Sequence, residues 1–266
     1  MAVSGQIGQQ TLFPVRRKAV WVQPANLGTA DCQMICGCDD SCEYAIKDKS
    51  KNPLVPHAEW FCTHLADLVG IAGPVCQIID MQNGTTAFGS RWHDGALPSR
   101  PPATPWWQMV KTNAIPLGSI APALSRIYAF DHFVHNIDRH AANLLVLPQR
   151  VGHSVLAFDY SRAWTFHGFP CPALPFDTTD PNEHTVRLQR ELRALWGDYI
   201  DRTESRKVLE ILAQVPVESV DKIIGEQPDD WMNQALKDAI LSWWSSSEMT
   251  SRLDSIAVGI ENGTYL

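Results

Sequence analysis

The stretch His135–Ser161 reads HNIDRHAANLLVLPQRVGHSVLAFDYS, and its order of polar and apolar residues is the most informative pattern in the chain. Asp138 comes first, Asn143 follows five residues later, and Asp159 comes after two short apolar runs. The two apolar runs, within residues 144–158, predict a buried two-stranded hairpin. A hairpin of this kind is rigid, so we expect Asp159 to leave it towards a cleft.

These residue types, in this order, suit phosphoryl transfer. The carboxylate of Asp138 can orient the attacking hydroxyl or accept its proton. The amide oxygen of Asn143 and the carboxylate of Asp159 are the hard oxygen ligands that Mg²⁺ takes when it holds nucleotide phosphates. An alternative is that Asp138 and Asn143 only cap a helix or a turn, since short polar side chains favour such positions.

Three short β-type runs come earlier in the chain and predict a small antiparallel sheet with a glycine turn between the first two. Lys47 ends the third run, Glu43–Lys47, where its amine can reach the phosphates of a nucleotide under the sheet. Glu59, on the predicted helix Val55–Leu68, can pair with that amine, and Gly28 can let backbone N–H groups approach a phosphate. The alternatives are a solvated lysine, an exposed carboxylate and a plain turn.

Beyond a proline-rich connector, Ala96–Pro105, helices dominate, and the chain as a whole predicts an α+β fold. We expect a flexible N-terminal segment over 1–17, a nucleotide-binding lobe over 18–95 with an antiparallel sheet and one helix, and a larger, mainly helical catalytic lobe over 96–266. The predicted helices of the larger lobe are Ile120–Asn136, Glu183–Leu195, Ser205–Leu212, Val217–Ile224 and Asp229–Leu253.

Composition and charge exclude several classes of protein. Of 266 residues, 45% are hydrophobic, which is enough for a sizeable core without disulfides or metals. The net charge of −7 argues against a general nucleic-acid binder and against a protein of anionic membranes. The chain has no apolar run long enough to span a membrane and no signal-peptide pattern, so we expect a cytoplasmic location.

Seven cysteines in a chain without an export signal predict reduced thiols rather than a disulfide framework. Four of them, Cys32, Cys36, Cys38 and Cys42, lie within eleven residues. Four thiolates can bind zinc, but the spacing contains no C-x₂-C knuckle. Buried apolar thiols are therefore the favoured interpretation, and a metal site stays the alternative.

Two pairs of tryptophans also invite a functional interpretation. Trp106-Trp107 follows the proline-rich connector, where the rings can line a cleft mouth or recognise a partner, although packing in the core is the favoured interpretation. Trp243-Trp244 lies in a predicted helix, and we expect both rings to pack in the core.

The motifs resemble those of a known family. Asp138–Asn143, DRHAAN, resembles the D-R-H-x-x-N motif shared by HipA-like kinases and phosphatidylinositol 3/4-kinases. Phe158–Ser161, FDYS, looks like the metal-binding segment that takes the place of D-F-G. Phe130–Asn136 resembles the helix that HipA-like proteins place before the catalytic loop, and residues 215–231 resemble their C-terminal helices. The resemblance is closer to the HipA-like family and covers roughly residues 18–255.

This resemblance implies a two-lobed protein-kinase-like fold that uses ATP and Mg²⁺ and phosphorylates serine or threonine hydroxyls. Asp138 is implied as the catalytic base, with His140 as a supporting catalytic or transition-state residue unless it is an ordinary loop histidine. Asn143 and Asp159 are implied as the metal ligands. Lys47 is implied to contact the α- and β-phosphates.

Further nucleotide contacts follow from the same resemblance. Phe88, Gly89 and Ser90 fall where the hinge that receives adenine belongs, and Gly28 and Thr29 fall in the phosphate turn. Thr29 is also a candidate for autophosphorylation. The turn has one glycine where the family has several, and the chain is shorter than full-length HipA toxins, which leaves an antitoxin partner uncertain.

We therefore expect an ATP- and Mg²⁺-dependent kinase whose partner is a protein substrate, with neither a membrane nor direct nucleic-acid contact. One alternative is a lipid or small-molecule kinase of the phosphoinositide-kinase type, because the D-R-H-x-x-N motif occurs there too. Another is a non-catalytic, nucleotide-binding interaction module that keeps the kinase fold. The sequence does not identify the acceptor, the oligomeric state, or a role as toxin, effector or regulator.

Overall fold

A computed structural model describes residues 16–24, 34–97, 99 and 103–265 of the chain. These residues form two compact units. The first unit takes in the described residues up to Lys47 and returns for Val75–Trp92. The second contains Asp48–Pro74 and the chain from His93 onward. The predicted domain boundaries, after residues 17 and 95, stay predictions.

The first unit is built from five short strands. They are β1 (Arg16–Pro24), β2 (Met34–Cys38), β3 (Glu43–Lys47), β4 (Cys76–Asp80) and β5 (Thr86–Arg91). They close into a barrel in the order β1-β2-β3-β5-β4. Four neighbouring pairs are antiparallel, but β1 and β4 run parallel. The prediction of a simple antiparallel sheet is wrong in this respect.

Strand β1 closes the barrel because different parts of it pair with different neighbours. Its first residues, Arg16–Lys18, pair with Ile78–Asp80 of β4, whereas the part from Ala19 onward pairs with β2. The register shifts between Ala19 and Trp21, which is the irregularity that bends a strand. Alternation of apolar and polar residues identifies a strand but not its neighbour, so no pattern along the chain predicts this closure.

The cysteines of β2 help to fill the core of the first unit. Cys36 and Cys38 are two residues apart on one strand, so they share a face, and their Sγ atoms lie 3.4 Å apart. Both side chains are buried, and burial raises the pKa of each thiol. Cys42 packs against the same cluster, while Cys32 lies outside the described residues. Cys36 and Cys38 are thus buried apolar thiols.

The second unit contains eight α-helices and one hairpin in the described part of the chain. They are α1 (Val55–Leu68), α2 (Trp106–Lys111), α3 (Ala121–Phe133), β6 (Leu144–Pro148), β7 (His153–Ala157), α4 (Thr185–Trp196), α5 (Arg202–Gln214), α6 (Val217–Gly225), α7 (Gln234–Trp244) and α8 (Ser247–Glu261). The bounds of β3 and α1 match those predicted from the sequence, and β6 and β7 lie within the predicted hairpin. Over the described ranges, no helix combines the length and apolar character needed to cross a membrane.

Helix α1 packs within the second unit. Its Trp60 donates from Nε1 to the carbonyl of Ile223 at 2.9 Å, and His57 donates from Nδ1 to Oε1 of Gln227 at 2.9 Å. Both partners belong to α6 or to the turn that follows it. These buried hydrogen bonds group α1 with the helices, although its place in the sequence is between strands of the barrel.

Aromatic rings from four elements form the centre of the second unit. Phe61 of α1 stacks on Trp164 at a centroid distance of 4.9 Å, and Trp164 meets Trp243 edge-on at 5.7 Å. Phe133 of α3 contacts Trp244 at 5.7 Å. Large rings remove much apolar area from water, so this cluster contributes strongly to the stability of the unit. The expected packing role of Trp243-Trp244 is observed.

One predicted helix, Asp229–Leu253, is wrong. The segment forms a 3₁₀ turn, Asp229–Trp231, followed by α7 and α8. Helix α8 begins after Ser246, whose hydroxyl accepts a hydrogen bond from the backbone N–H of Glu248 at 3.2 Å. Serine hydroxyls compete for backbone groups, so the serines between α7 and α8 favour a new N-terminus over a continuous helix.

Helix α3 carries a histidine that is buried in its uncharged form. The His132 ring stacks on Phe176 at 4.5 Å and on Tyr265 at 5.2 Å, and its Nδ1 donates to the carbonyl of Tyr128 at 3.1 Å. Burial lowers the pKa of His132 to about 4. The unfolded chain has a histidine pKa near the ordinary value of about 6.5.

We predict that His132 makes the protein less stable as the pH falls from 7 to 5. In this window the unfolded chain takes up a proton at His132 and the folded chain does not, so the free energy of unfolding falls with pH by about 2 kcal/mol from this residue. Urea denaturation at both pH values measures the difference, and His132→Phe should reduce it by that amount. An equal pH dependence in the variant would contradict this prediction.

Candidate active site

The loop between α3 and β6 carries three of the predicted site residues. Asp138 and His140 lie in the loop itself, and Asn143 ends a short 3₁₀ helix, Ala141–Asn143, directly before β6. Asp138 and His140 are half-buried, whereas Asn143 is buried. The geometry of this loop therefore decides where the candidate catalytic groups lie.

Helix α3 ends in a way that fixes the direction of this loop. His135 has a φ of 52°, and the N–H of Asn136 reaches back to the carbonyl of Asp131 at 2.8 Å, which is a Schellman-type helix end. Arg252 of α8 donates from Nε to the carbonyl of Phe133 at 2.8 Å and from Nη2 to the preceding carbonyl at 2.7 Å. These bonds satisfy carbonyl groups that a helix end leaves without partners.

Arg139 holds the loop on both sides. Its Nε and Nη2 donate to the two carboxylate oxygens of Asp131, each at 2.9 Å, and both side chains are buried. Its Nη1 donates to the carbonyl of Asn143 at 3.0 Å and also to the carbonyl of Phe158. The guanidinium lies 4.8 Å from the centre of the Tyr160 ring. One side chain thus joins α3, the start of β6 and the residue that follows β7.

The start of α4 also holds the loop. The hydroxyl of Thr185 donates to the carbonyl of Asn136 at 2.5 Å and accepts from the N–H of Arg139 at 3.0 Å. The N–H of His184 donates to the carbonyl of Ile137 at 2.6 Å. Backbone groups on either side of Asp138 are therefore bonded to the N-terminus of α4.

The carboxylate of Asp138 lies between two basic side chains. Nε of Arg162 is 3.5 Å from Oδ2, and Nε2 of His184 is 3.6 Å from Oδ1. The side chain of Asp138 keeps 17% of its surface exposed, so a hydroxyl can approach it. The sequence analysis missed both partners, because they lie 24 and 46 residues further along the chain and belong to no local motif.

Asn143 and Asp159 come together at one end of the hairpin. The pair Leu144 and Ala157 forms that end, and the N–H of Phe158 donates to the carbonyl of Asn143 at 3.3 Å. Nδ2 of Asn143 donates to the carbonyl of Asp138 at 3.0 Å. Asp159 has a φ of 65°, a conformation that aspartate tolerates better than most residues.

Glu59 belongs to the same unit and is buried rather than exposed. Only 1% of its surface is accessible, so the alternative of a solvent-facing helix carboxylate is excluded. Its charge adds to the effect of burial in raising the pKa of Tyr160 and that of Cys62. Glu59 is thus within electrostatic reach of Tyr160, the residue next to Asp159.

The remaining nucleotide contacts belong to the first unit. Lys47 ends β3, is buried, and pairs in register with Phe88 of β5. Gly89 and Ser90 follow Phe88 within β5, and the chain enters the second unit only after residue 92. A Cβ atom on Gly89 would lie 2.6 Å from Cγ1 of Ile79, so close packing in the barrel already explains this glycine. Contact of these residues with adenine stays a prediction.

Gly28 and Thr29 lie outside the described residues. In the sequence they fall between β1, which ends at Pro24, and β2, which begins at Met34. Their contacts with phosphate, and autophosphorylation of Thr29, stay predictions.

We predict that Arg139→Met strongly destabilises the protein. The variant leaves the carboxylate of Asp131 buried without its bidentate partner, and a broken buried ion pair costs about 3–5 kcal/mol. Urea denaturation measures the loss. The double variant Asp131→Leu with Arg139→Met should recover much of it, because no charge remains buried. Arg150→Met, at an exposed turn position, is the control and should change stability by less than about 0.5 kcal/mol. A loss below about 1 kcal/mol in Arg139→Met would contradict the prediction.

Known proteins resemble this chain in family and in fold. A protein-family model described as HipA-like kinase matches residues 23–257. No curated protein matches the chain. The solved structure of CtkA, a proinflammatory kinase of Helicobacter pylori, is similar with a TM-score of 0.55 and 12% identity, covering 89% of this chain and 94% of that chain. A chain from the complex of HipA, HipB and operator DNA, a toxin–antitoxin system of Shewanella oneidensis MR-1, has a TM-score of 0.46 and 10% identity, covering 93% of this chain and 67% of its own.

The two kinds of comparison support different conclusions. At 12% identity the likeness to CtkA shows the fold alone, and it confirms the kinase-like architecture expected from the sequence. The family match includes the loop from Asp138 to Asn143 and also Asp159, where the sharpest motifs lie. The chain belongs to the HipA-like kinase family.

Proposed function

We propose that this chain transfers the γ-phosphoryl group of ATP, in the presence of Mg²⁺, to a serine or threonine hydroxyl of a protein in the cytoplasm. The observation that carries the proposal is the placement of Asp138. Its partly exposed carboxylate lies between Arg162 and His184, and its loop is bonded to the end of the hairpin that bears Asn143 and Asp159. Family membership supports the reaction class.

Asp138 acts on the acceptor hydroxyl. Its carboxylate accepts the hydrogen bond of the hydroxyl and so orients the oxygen towards the γ-phosphorus. As the new O–P bond forms and the bond to the β-phosphate breaks, ADP leaves and the proton of the hydroxyl passes to Asp138. Arg139 and Thr185 hold the loop rigid, so the carboxylate needs little reorganisation during the reaction.

The donor set fits Mg²⁺. Nδ2 of Asn143 is used in the bond to Asp138, which leaves the amide oxygen for a ligand, and Asp159 contributes carboxylate oxygen. Ser161 donates to Oδ1 of Asp159 at 2.8 Å and orients that carboxylate. Mg²⁺ is commonly held by one or two protein side chains together with substrate phosphates and water, so a pair of residues is sufficient. When bound, the ion supplies positive charge against the phosphate oxygens.

The remaining predicted residues complete the nucleotide site in this proposal. Lys47 supplies positive charge to the α- and β-phosphates. Phe88, Gly89 and Ser90 contact adenine. The resemblance to the family supports these assignments, and His140 supports the catalytic loop beside Asp138.

We predict that Asp138→Asn abolishes phosphoryl transfer and leaves the fold intact. An amide is nearly isosteric with a carboxylate but cannot accept the proton of the hydroxyl, so the rate should fall by at least about 10²-fold. The measurement is transfer from γ-labelled ATP to proteins of a host-cell extract, with wild type beside the variant. Asp254→Asn, at an exposed position of α8, is the matched control and should retain full transfer.

The same assay separates the alternatives. A protein band that is labelled by wild type and not by Asp138→Asn supports the proposal. Transfer at the wild-type rate in that variant would refute the role of Asp138. Label that appears only in lipids or soluble metabolites would indicate a lipid or small-molecule kinase. Binding of ATP without any labelled product would indicate a non-catalytic nucleotide-binding module.

We predict that Asp159→Ala removes the Mg²⁺-dependent part of ATP affinity. The variant lacks one of the two proposed metal ligands, so the gain in affinity on adding Mg²⁺ should fall by about tenfold or more. Isothermal titration with ATP, in Mg²⁺ and in EDTA, measures this gain. Asp254→Ala serves as the control. If Asp159→Ala binds ATP in Mg²⁺ as tightly as wild type does, the metal assignment is wrong.

A further inference from the structure

A cavity of about 340 Å³ lies beside Asp138 in the second unit, and the proposed reaction does not yet use it. His184 belongs to both places, since its Nε2 is 3.6 Å from the Asp138 carboxylate and its side chain lines the cavity. His140 lines the cavity too, with its ring centroid 6.1 Å from that of His184. One residue, His184, thus separates the cavity from the carboxylate that binds the acceptor hydroxyl in the proposed reaction.

The rest of the cavity is mainly apolar. Leu188, Leu192 and Leu195 lie on one face of α4 at helical spacing, and Trp107 of α2 also lines the cavity. Leu188, Leu195 and Trp107 are half-buried, so they are accessible from the cavity. The volume is at the small end of ligand pockets, which span about 300–1,000 Å³, and suits one or two side chains.

The wall formed by α2 is held in place by its other tryptophan. Trp106 is fully buried, donates from Nε1 to the carbonyl of Ala141 at 3.4 Å, and packs against Trp196 at a centroid distance of 6.0 Å. Trp107 meets Trp106 edge-on at 5.8 Å. Trp106 therefore has the packing role that the sequence favoured, whereas Trp107 is presented to the cavity. A preformed wall lowers the entropic cost of binding.

Charge on the rim gives the cavity a polarity. Helix α4 begins beside Asp138, and the cavity follows it from His184 to Leu195. Arg187, which is exposed, lies one turn from His184 and carries a positive charge at this part of the rim. Glu191 lies one turn further on. An acceptor with an acidic group near its hydroxyl is therefore complementary to this rim.

The length of α4 sets the distance between the hydroxyl of such an acceptor and the acceptor side chain that would enter the cavity. The half-buried Leu188 and Leu195 lie about 6 and 16 Å along the helix from His184, since each residue adds about 1.5 Å, so the middle of this wall is about 11 Å away. An extended polypeptide covers that distance in three or four residues, at about 3.3 Å per residue.

We propose that this cavity receives an apolar side chain of the acceptor protein, three or four residues from the phosphorylated hydroxyl, with an acidic side chain between them opposite Arg187. The inference rests on the proposed function, because it requires a polypeptide acceptor. It makes Trp107, Leu188 and Arg187 determinants of specificity, while Asp138 remains the residue that acts on the hydroxyl.

The test uses synthetic peptides with a single serine. One set carries leucine or alanine three or four residues to either side of the serine, and a second set carries aspartate or lysine between the serine and the leucine. For wild type we expect kcat/KM to be about tenfold higher with leucine than with alanine. Leu188→Glu should reduce this ratio to about one. Leu68→Glu, at an exposed leucine of α1, is the matched control and should keep the ratio.

Charge reversal tests the rim independently. Wild type should prefer aspartate to lysine between serine and leucine, and Arg187→Glu should invert that preference. Arg190→Glu places the same change on an exposed residue of α4 that does not line the cavity, and it should leave the preference unchanged. A ratio of peptide rates does not respond to a general loss of stability, so these readouts report on recognition.

The outcomes separate this inference from the function on which it rests. If wild type phosphorylates the leucine and alanine peptides equally, the cavity is not an acceptor site, although the protein is still a protein kinase. If Leu188→Glu keeps the preference for leucine, the inference is also wrong. If wild type labels no peptide and no protein but phosphorylates vesicles that contain phosphatidylinositol, both the inference and the proposed function are overturned.

Discussion

The buried ion pair between Arg139 and Asp131 is the interaction on which the site depends. Its two N–H···O bonds attach the catalytic loop to α3, and the remaining guanidinium nitrogen fixes the carbonyls of Asn143 and Phe158 at the end of the hairpin. Neither charge touches the reacting groups in the proposed mechanism. Burying two charges has a large desolvation cost, and hydrophobic residues of similar volume often give equal stability at the same place. We therefore infer that the pair is important for the geometry of the loop more than for the stability of the fold.

Local sequence patterns predicted the residues that contact the substrate in this proposal. They did not predict the residues that position those side chains. Asp138, Asn143 and Asp159 stand out because a carboxylate and an amide directly precede an apolar hairpin and a second carboxylate directly follows it. His184 and Arg162 come from distant parts of the chain, so only the fold shows that they face Asp138. The parallel pairing of β1 with β4 was not predicted for the same reason. Periodicity describes one strand by itself and does not show which strand it pairs with. A helix cap, in contrast, is a local signal. The serines before α8 indicate a new helix N-terminus, but the apolar periodicity of residues 229–253 favoured one continuous helix instead.

The residues that hold Asp138 also line the cavity that we propose for the acceptor. His184 contacts the carboxylate on one side and lines the cavity on the other, and Ala141 lies between Asn143 and the anchoring Trp106. A change that moves the start of α4 would therefore alter hydroxyl orientation and acceptor choice together. Under the proposed function, rate and specificity are therefore coupled, as is expected where one rigid element bears both groups.

The interrupted path of the chain through the first unit has a consequence for how the protein forms. The barrel needs β1 and β4, whose paired residues are about sixty positions apart, and α1 of the second unit is synthesised between them. During translation, α1 leaves the ribosome before its partner α6 and before the barrel can close, so its apolar face waits for more than a hundred further residues. Long-range contacts of this kind slow folding, and a segment that waits with an apolar face exposed is prone to aggregate. The order of the elements thus leaves the apolar face of α1 without its α6 partner until residue 225 has been made.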